Sequence, residues 1–185
     1  MTQAAHFPKR YDFKEVEPKW QKWWEESKIY AFDRASREKP TFSIDTPPPY
    51  PSGELHVGNA LNFAYIDFVA RYKRMRGYNV FFPIGWDCHG LPTEVRVERT
   101  IGKRRSEVPV EEFLRLCREY TLKWIEPMRA ALKAMGCSID WSTEYMTMDP
   151  GYWWRTQLSF VLMYRKGLIY RAVHLSLIHI SEPTR

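Results

Sequence analysis

Cysteine is scarce in this chain, and its cysteines are not spaced as disulfide partners or zinc ligands usually are. The 185 residues include three cysteines, Cys88, Cys117 and Cys137, with no C-x-x-C pair among them. An odd number without that spacing argues against a disulfide framework and a self-contained zinc site. Adjacent Cys88 and His89 lack a third and fourth ligand at suitable spacing, so we expect no metal here. The pattern predicts a reducing, cytoplasmic setting.

Long hydrophobic runs and repeats are also missing. No run approaches the roughly 18 apolar residues of a membrane span, and no apolar segment follows a basic start, so we expect no signal peptide. With 44% hydrophobic and 27% charged residues, the composition is that of a soluble globular chain with one core. The net charge of +6 suits a partner that carries phosphates, but charge of this size does not identify one.

Hydrophobic periodicity and Pro/Gly punctuation predict strands that alternate with helices. We expect helices over residues 12–28, 56–76, 110–135 (with Pro127 inside) and 149–166, and another that opens at Pro92; strands are expected over 41–45, 79–83 and 168–172. Alternation of this kind implies a parallel α/β sheet. The predicted fold class is therefore α/β, the first half of a Rossmann-like nucleotide-binding fold. We expect residues 1–40 to form an N-terminal helical extension and connector, and residues 41–174 to form the half-domain of the nucleotide-binding fold.

The first two predicted helices have distinct faces. The first carries Trp20, Trp23 and Trp24 on one side, which favours docking on the core over an RNA-stacking arm. In the second, the apolar residues follow a 3.6-residue period, and Gly77 ends the helix. These apolar residues are Leu61, Tyr65, Phe68, Val69, Tyr72 and Met75.

The segment between the first strand and the second helix points to a nucleotide site. Residues 47–59 have the sequence PPPYPSGELHVGN, in which proline fixes the backbone and glycine lets a ligand approach it. A strand, a stiff turn and a helix N-terminus form a geometry that receives anions. Because His56 and Asn59 are three residues apart, they share one helix face and can reach the same ligand.

This segment resembles the HIGH signature of class I aminoacyl-tRNA synthetases, with His56-Val57-Gly58-Asn59 as the signature tetrapeptide. Blocks at 71–80 (RYKRMRGYNV), 85–94 (GWDCHGLPTE), 138–141 (SIDW) and 156–160 (TQLSF) are similar to the subgroup that activates valine, isoleucine and leucine. Ile44-Asp45-Thr46 running into three prolines is closest to archaeal-type valyl enzymes, whereas isoleucine enzymes more often carry Gly where Pro47 stands. The resemblance covers residues 11–174.

The resemblance implies roles for particular residues. His56 and Asn59 would be catalytic donors to the phosphates, with Asn59 in place of the more common second His. ATP would be bound by Pro49, Tyr50, His56, Gly58 and Asn59, and the amino acid by Pro48, Pro49 and Asp87. The alternative for His56 is a helix N-cap or a satisfied surface histidine, and for Asp87 a cap of the turn before Pro92.

The basic cluster Arg71, Lys73, Arg74 and Arg76 is interpreted as a solvated helix face rather than a tRNA contact. Trp86 and His89 are weaker candidates for the site. The resemblance implies ATP with Mg²⁺, valine and tRNA(Val) as ligands of the full-length enzyme, and a family that is usually monomeric.

Several parts of such an enzyme are absent from the sequence: the KMSKS-like lysine loop, the second half of the nucleotide fold, the anticodon-binding helices and the editing domain. We therefore expect the 185-residue chain alone to be inactive. Two other interpretations stay open. One is an isoleucyl or leucyl counterpart, and the other is a non-catalytic nucleotide- or RNA-binding module.

The final segment departs from the family pattern. Residues 175–185 (LSLIHISEPTR) match the translation of a sequencing-library adapter, whereas the family continues towards Pro-Val-Asn-Trp and a Cys-x-x-Cys. We hypothesise that this tail is adapter read-through and exclude it from the fold prediction.

Overall fold

A computed structural model describes residues 10–173, and its contacts divide the chain into two compact units, one up to Thr147 and one from Met148. The tail prediction for residues 175–185 lies outside the described residues. The elements of the first unit are α1 (Phe13–Ser27), β1 (Thr41–Ser43), α2 (Val57–Met75), β2 (Asn79–Phe81), β3 (Gly85–Trp86), α3 (Leu91–Ile101), α4 (Val110–Ala134) and β4 (Tyr145–Met146), with 3₁₀ turns at Arg105–Glu107 and Trp141–Thr143.

Two pairs of short parallel strands form the sheet structure of the first unit. β1 lies parallel to β2 with Phe42 opposite Val80, and β3 lies parallel to β4 with Trp86 opposite Met146. Between the pairs, the N–H of Asp140 donates to the carbonyl of Phe82 at 2.9 Å. The long crossovers that parallel strands require are supplied by helices, as the sequence predicts. The α/β prediction is confirmed.

The core is built around the stretch that links β2 to β3. Every second side chain from Val80 to Trp86 is buried, which is the period expected of an extended segment. Helix α2 packs against β2, and α2 and α4 contribute a second set of buried residues, Phe63, Ala70, Phe113, Ile125, Met128 and Leu132. The last buried side chain of this stretch, Trp86, immediately precedes Asp87 in the chain.

The apolar stripe of α2 predicts the helix correctly but does not mark its buried face. Leu61, Tyr65, Phe68 and Tyr72 are all more than half exposed, whereas Phe63, Asp67 and Ala70 are the buried residues of this helix. Ala70 is fully buried because its small side chain allows close packing, and Asp67 is drawn inward by hydrogen bonds. In the described part of the chain, the larger apolar face of α2 remains in contact with solvent.

The prediction that the α2 cluster is a solvated face is wrong for Arg71 and Arg74. The Nε of Arg71 donates to the Asp67 carboxylate at 2.6 Å, and Arg74 donates to the backbone carbonyl of Ser138 at 2.9 Å. Burial lowers the pKa of Arg74, and the charges of Asp67 and Tyr30 only partly oppose that effect. Both guanidinium groups tie α2 to the Ser138 segment, while Arg76 is exposed.

The contacts of α1 agree with the predicted docking of this helix. Asp12 caps its N-terminus by accepting from the N–H of Lys14, and Gln21 donates to the carbonyl of Ala134 at 3.2 Å. Trp20 and Trp23 are nearly half exposed, so docking does not bury the whole tryptophan face.

The second unit contains α5 (Pro150–Arg165), which Asp149 precedes as N-cap and Gly167, with a φ of 71°, follows. The predicted strand over 168–172 is wrong, because these residues have no strand structure. β-propensity alone does not make a strand without a pairing partner. Among the residues described, no helix is long and apolar enough to cross a membrane.

Candidate functional site

The stiff turn between β1 and α2 brings His56 to the first position of the site. Pro51 is buried, and the N–H of Ser52 donates to the carbonyl of Tyr50 at 2.9 Å, which closes the turn. His56 then adopts an extended backbone as the N-cap of α2, and its Nδ1 accepts from the N–H of Asn59 at 3.2 Å. The structure thus shows the capping geometry that sequence reasoning gave as the alternative for His56.

Capping and phosphate donation use different nitrogens of the same ring. Because Nδ1 accepts a hydrogen bond, the neutral imidazole carries its proton on Nε2. The His56 side chain is exposed, so this Nε2–H is a donor at the mouth of the helix. The N-cap role is therefore compatible with the predicted donation to an anion.

Gly58 leaves space for the His56 ring. A Cβ at this position would lie 3.1 Å from both Cε1 and Nδ1 of His56, closer than most real side-chain contacts. The sequence interpretation gave Gly58 the task of leaving room for a nucleotide. The structure adds that its missing side chain leaves room for the imidazole in its capping position.

Asp87 follows β3 and contacts the proline turn. Its N–H donates to the carbonyl of Pro49 at 3.0 Å, so the 85–94 motif is hydrogen-bonded to the proline-rich 47–59 motif. The negative charge of the nearby Asp87 carboxylate raises the pKa of Tyr50. The structure thus brings Pro49, Tyr50 and Asp87 together.

The residues that flank Asp87 are held by a segment that sequence reasoning missed. The indole Nε1 of Trp86 donates to Glu144 at 2.6 Å, and the N–H of Cys88 donates to the hydroxyl of Thr147 at 2.8 Å. Trp86 is fully buried, so it supports the site rather than facing it. Glu144 and Thr147 lie about sixty positions further along the chain, and no local spacing links them to Asp87.

The remaining predictions concern His89, a metal site and the ligand-binding residues. His89 is exposed at the start of α3. Among the described residues, no group of three or more His, Cys, Asp or Glu side chains is arranged to hold a metal ion. The binding roles assigned to Pro48, Pro49, Tyr50, His56, Gly58, Asn59 and Asp87 remain predictions.

Comparison with known proteins gives a consistent family. The family model described as tRNA synthetases class I (I, L, M and V) matches residues 19–182. The valine–tRNA ligase of Methanothrix thermoacetophila is 62% identical over 170 residues, which are 92% of this chain and 20% of that protein. The valine–tRNA ligase of Archaeoglobus fulgidus is 59% identical over 166 residues, 90% of this chain and 19% of that protein.

A solved structure agrees in fold. The crystal structure of the ternary complex of Agrobacterium radiobacter K84 agnB2 LeuRS, tRNA and LeuAMS matches with a TM-score of 0.73 and 34% identity, covering 88% of this chain and 19% of that one. The chain thus spans about one fifth of the length of the relatives it matches.

Proposed function

The chain belongs to the class I tRNA synthetases of the I, L, M and V group. We propose that it is the N-terminal part of the catalytic domain of a cytoplasmic valine–tRNA ligase. The full-length enzyme would join valine and ATP to form valyl-adenylate and pyrophosphate, and would then transfer the valyl group to tRNA(Val). Identities of 51% to 62% with valine–tRNA ligases support valine over isoleucine or leucine.

The main-chain hydrogen bond from Asp87 to Pro49 carries the amino-acid part of the proposal. It holds a carboxylate beside a rigid turn whose prolines offer apolar surface and no N–H donor. The carboxylate would pair with the ammonium of valine, and carbonyls of the turn would assist it. Pro48 and Pro49 would form a wall that suits a small branched side chain.

His56 and the N-terminus of α2 would serve the phosphates. In adenylate formation, the carboxylate of valine attacks the α-phosphorus in line, and negative charge moves to the leaving pyrophosphate. Such a step needs positioning and charge stabilisation rather than a protein nucleophile. The Nε2–H of His56, the amide of Asn59 and the positive end of the helix dipole would stabilise that charge. Mg²⁺ would arrive on the phosphates of ATP, as part of the substrate.

The amino acid that drives ATP–pyrophosphate exchange tests the specificity. The assay uses an enzyme of the relatives' full length that carries this segment, with valine, isoleucine and leucine compared at equal concentrations. Valine is expected to drive exchange. Preference for isoleucine or leucine would replace the valine assignment, and no exchange with any of the three would favour the non-catalytic module. The 185-residue chain alone is expected to show none.

Replacing His56 with serine separates capping from catalysis. A serine hydroxyl at this position can still cap α2, so the melting temperature should change little. It cannot replace the Nε2–H donor, and losing one such donor lowers kcat by about 10²–10³. Asn62→Ala, on an exposed position of the same helix, is the control and should leave exchange unchanged. Full activity of His56→Ser would show that His56 only caps the helix.

A further inference from the structure

Trp86 and Cys88, the residues on either side of Asp87, are both hydrogen-bonded to the segment that contains β4. We propose that Glu144 and Thr147 are positioning residues, which hold the Asp87 carboxylate where the ammonium of the amino acid binds. This inference rests on the proposed function, because it assumes that Asp87 receives that ammonium. Each acts through a neighbour of Asp87: Glu144 through Trp86, and Thr147 through Cys88.

Glu144 fixes the residue before Asp87. The Trp86 indole is fully buried, and its Nε1 lies 2.6 Å from the Glu144 carboxylate. Arg129 contacts the same carboxylate oxygen, Oε1, with Nε at 3.0 Å and Nη2 at 2.9 Å. Hydrogen bonds to an ionised acceptor are shorter and stronger than neutral ones. Glu144 therefore holds the largest side chain of the loop in a single place.

Thr147 fixes the residue after Asp87. Its hydroxyl accepts from the N–H of Cys88 at 2.8 Å, and its own N–H donates to the carbonyl of Trp86 at 3.0 Å. Cys88 is 5% exposed and Thr147 is 9% exposed, so water has little access to this pair. A buried N–H that loses its acceptor is costly, and the loop would shift to satisfy it.

Close packing of the two strands reinforces these bonds. A Cβ at Gly85 would overlap the Tyr145 ring, so glycine is what allows β3 to approach β4 at this point. The N–H of Asp87 is bonded to Pro49 at the same time. Asp87 is thus held by its own backbone and by both neighbours, which limits where its carboxylate can lie.

The decisive variant is Thr147→Val, which removes the acceptor and nearly preserves the shape of the side chain. The assay is valine-dependent ATP–pyrophosphate exchange by an enzyme of the relatives' full length that carries this segment. Loss of the Thr147 acceptor for the Cys88 N–H should raise the KM for valine about tenfold, while the KM for ATP stays within about twofold. Thr147→Ser restores a hydroxyl and should recover most of the affinity for valine.

A matched pair of variants tests Glu144. Both Glu144 and Glu126 pair with Arg129, but only Glu144 contacts Trp86. Glu144→Ala should therefore raise the KM for valine, and Glu126→Ala should not. Melting temperatures of all variants are measured in parallel, so that a general loss of folding is recognised.

The outcomes separate this inference from the function on which it rests. If the parent enzyme shows no valine-dependent exchange, the proposed function fails first. If the parent is active, a selective rise in the KM for valine with rescue by Thr147→Ser supports the positioning role. Unchanged kinetics in Thr147→Val, an equal loss in Glu126→Ala and Glu144→Ala, or parallel changes in the KM for valine and for ATP would overturn it.

Discussion

Replacing Asp67 with asparagine should strongly destabilise the first unit, because this carboxylate joins α2 to the Ser138 segment. Asp67 is 7% exposed, and it accepts from the Nε of Arg71 at 2.6 Å, from the N–H of Ser138 at 2.6 Å and from the hydroxyl of Ser138 at 2.5 Å. Arg71 also donates to the hydroxyl of Tyr30 at 3.1 Å. One carboxylate therefore organises contacts between three parts of the chain.

The size of the effect follows from these contacts. Asparagine is nearly isosteric, but its NH₂ group cannot accept, so at least one donor is left unpaired and the ion pair is lost. Removing one partner of a buried ion pair costs about 3–5 kcal/mol. Arg71 is 36% exposed, so water screens part of the charge, and we expect the lower end, about 3 kcal/mol. Because urea slopes are about 1–3 kcal/mol per M, the midpoint should fall by roughly 1.5 M.

Urea unfolding followed by tryptophan fluorescence measures this loss of stability. The control is Glu26→Gln, which breaks an ion pair of the same i,i+4 spacing with Lys22, at 3.8 Å and with both side chains more than 60% exposed. That change should cost less than about 0.5 kcal/mol. A cost below about 1 kcal/mol for Asp67→Asn, or an equal cost for the two variants, would refute the reasoning.

Two further predictions concern the same unit. Burial, and next the Asp67 charge, raise the pKa of the Cys137 thiol from 9.0 to about 11, so the unfolded chain releases this proton at lower pH than the folded chain. The free energy of unfolding should therefore fall between pH 9 and pH 11, by on the order of 2 kcal/mol more than it falls in Cys137→Ala. Urea midpoints measured across that pH range test this. An equal fall with pH in the two proteins would contradict the raised pKa of Cys137. On α2, Phe68→Glu should change stability by less than about 0.5 kcal/mol, since Phe68 is exposed. Phe63→Ala on the buried face of the same helix should cost about 3–5 kcal/mol, and equal costs would show that the two faces are misassigned.

Local patterns in the sequence predict the elements well, because caps and periodicity are local. Asp12, Gly77 and Asp149 mark helix ends where the structure has them. The orientation of α2 could not be predicted in this way. Its buried side carries Phe63, Asp67 and Ala70, and Ser138, one of the partners of Asp67, lies about seventy positions away along the chain.

The site shows the same division between local and distant information. The capping contact between His56 and Asn59 spans three residues, so its geometry follows from the motif. The family resemblance assigned Pro49 and Asp87 to the same ligand, but the backbone hydrogen bond between them was not predicted from the sequence. No local sequence pattern marks Glu144 and Thr147, because the pairing of β3 with β4 is what brings them beside Trp86 and Cys88. The Ser138–Trp141 motif, in turn, is explained largely by structure: Ser138 binds Asp67, and Asp140 accepts from the N–H of Phe32 at 2.9 Å.

The bond between Asp87 and Pro49 has a consequence for redesigning the proposed amino-acid pocket. It joins two backbones, so it does not depend on which side chain stands at position 49. If the proposed binding roles hold, a library that varies residues 48 and 49 would reshape the wall of the pocket while the backbone of Asp87 keeps its bond to residue 49. Substrate choice and ammonium recognition would then be separable variables in directed evolution, provided that Gly85, Glu144 and Thr147 are left unchanged.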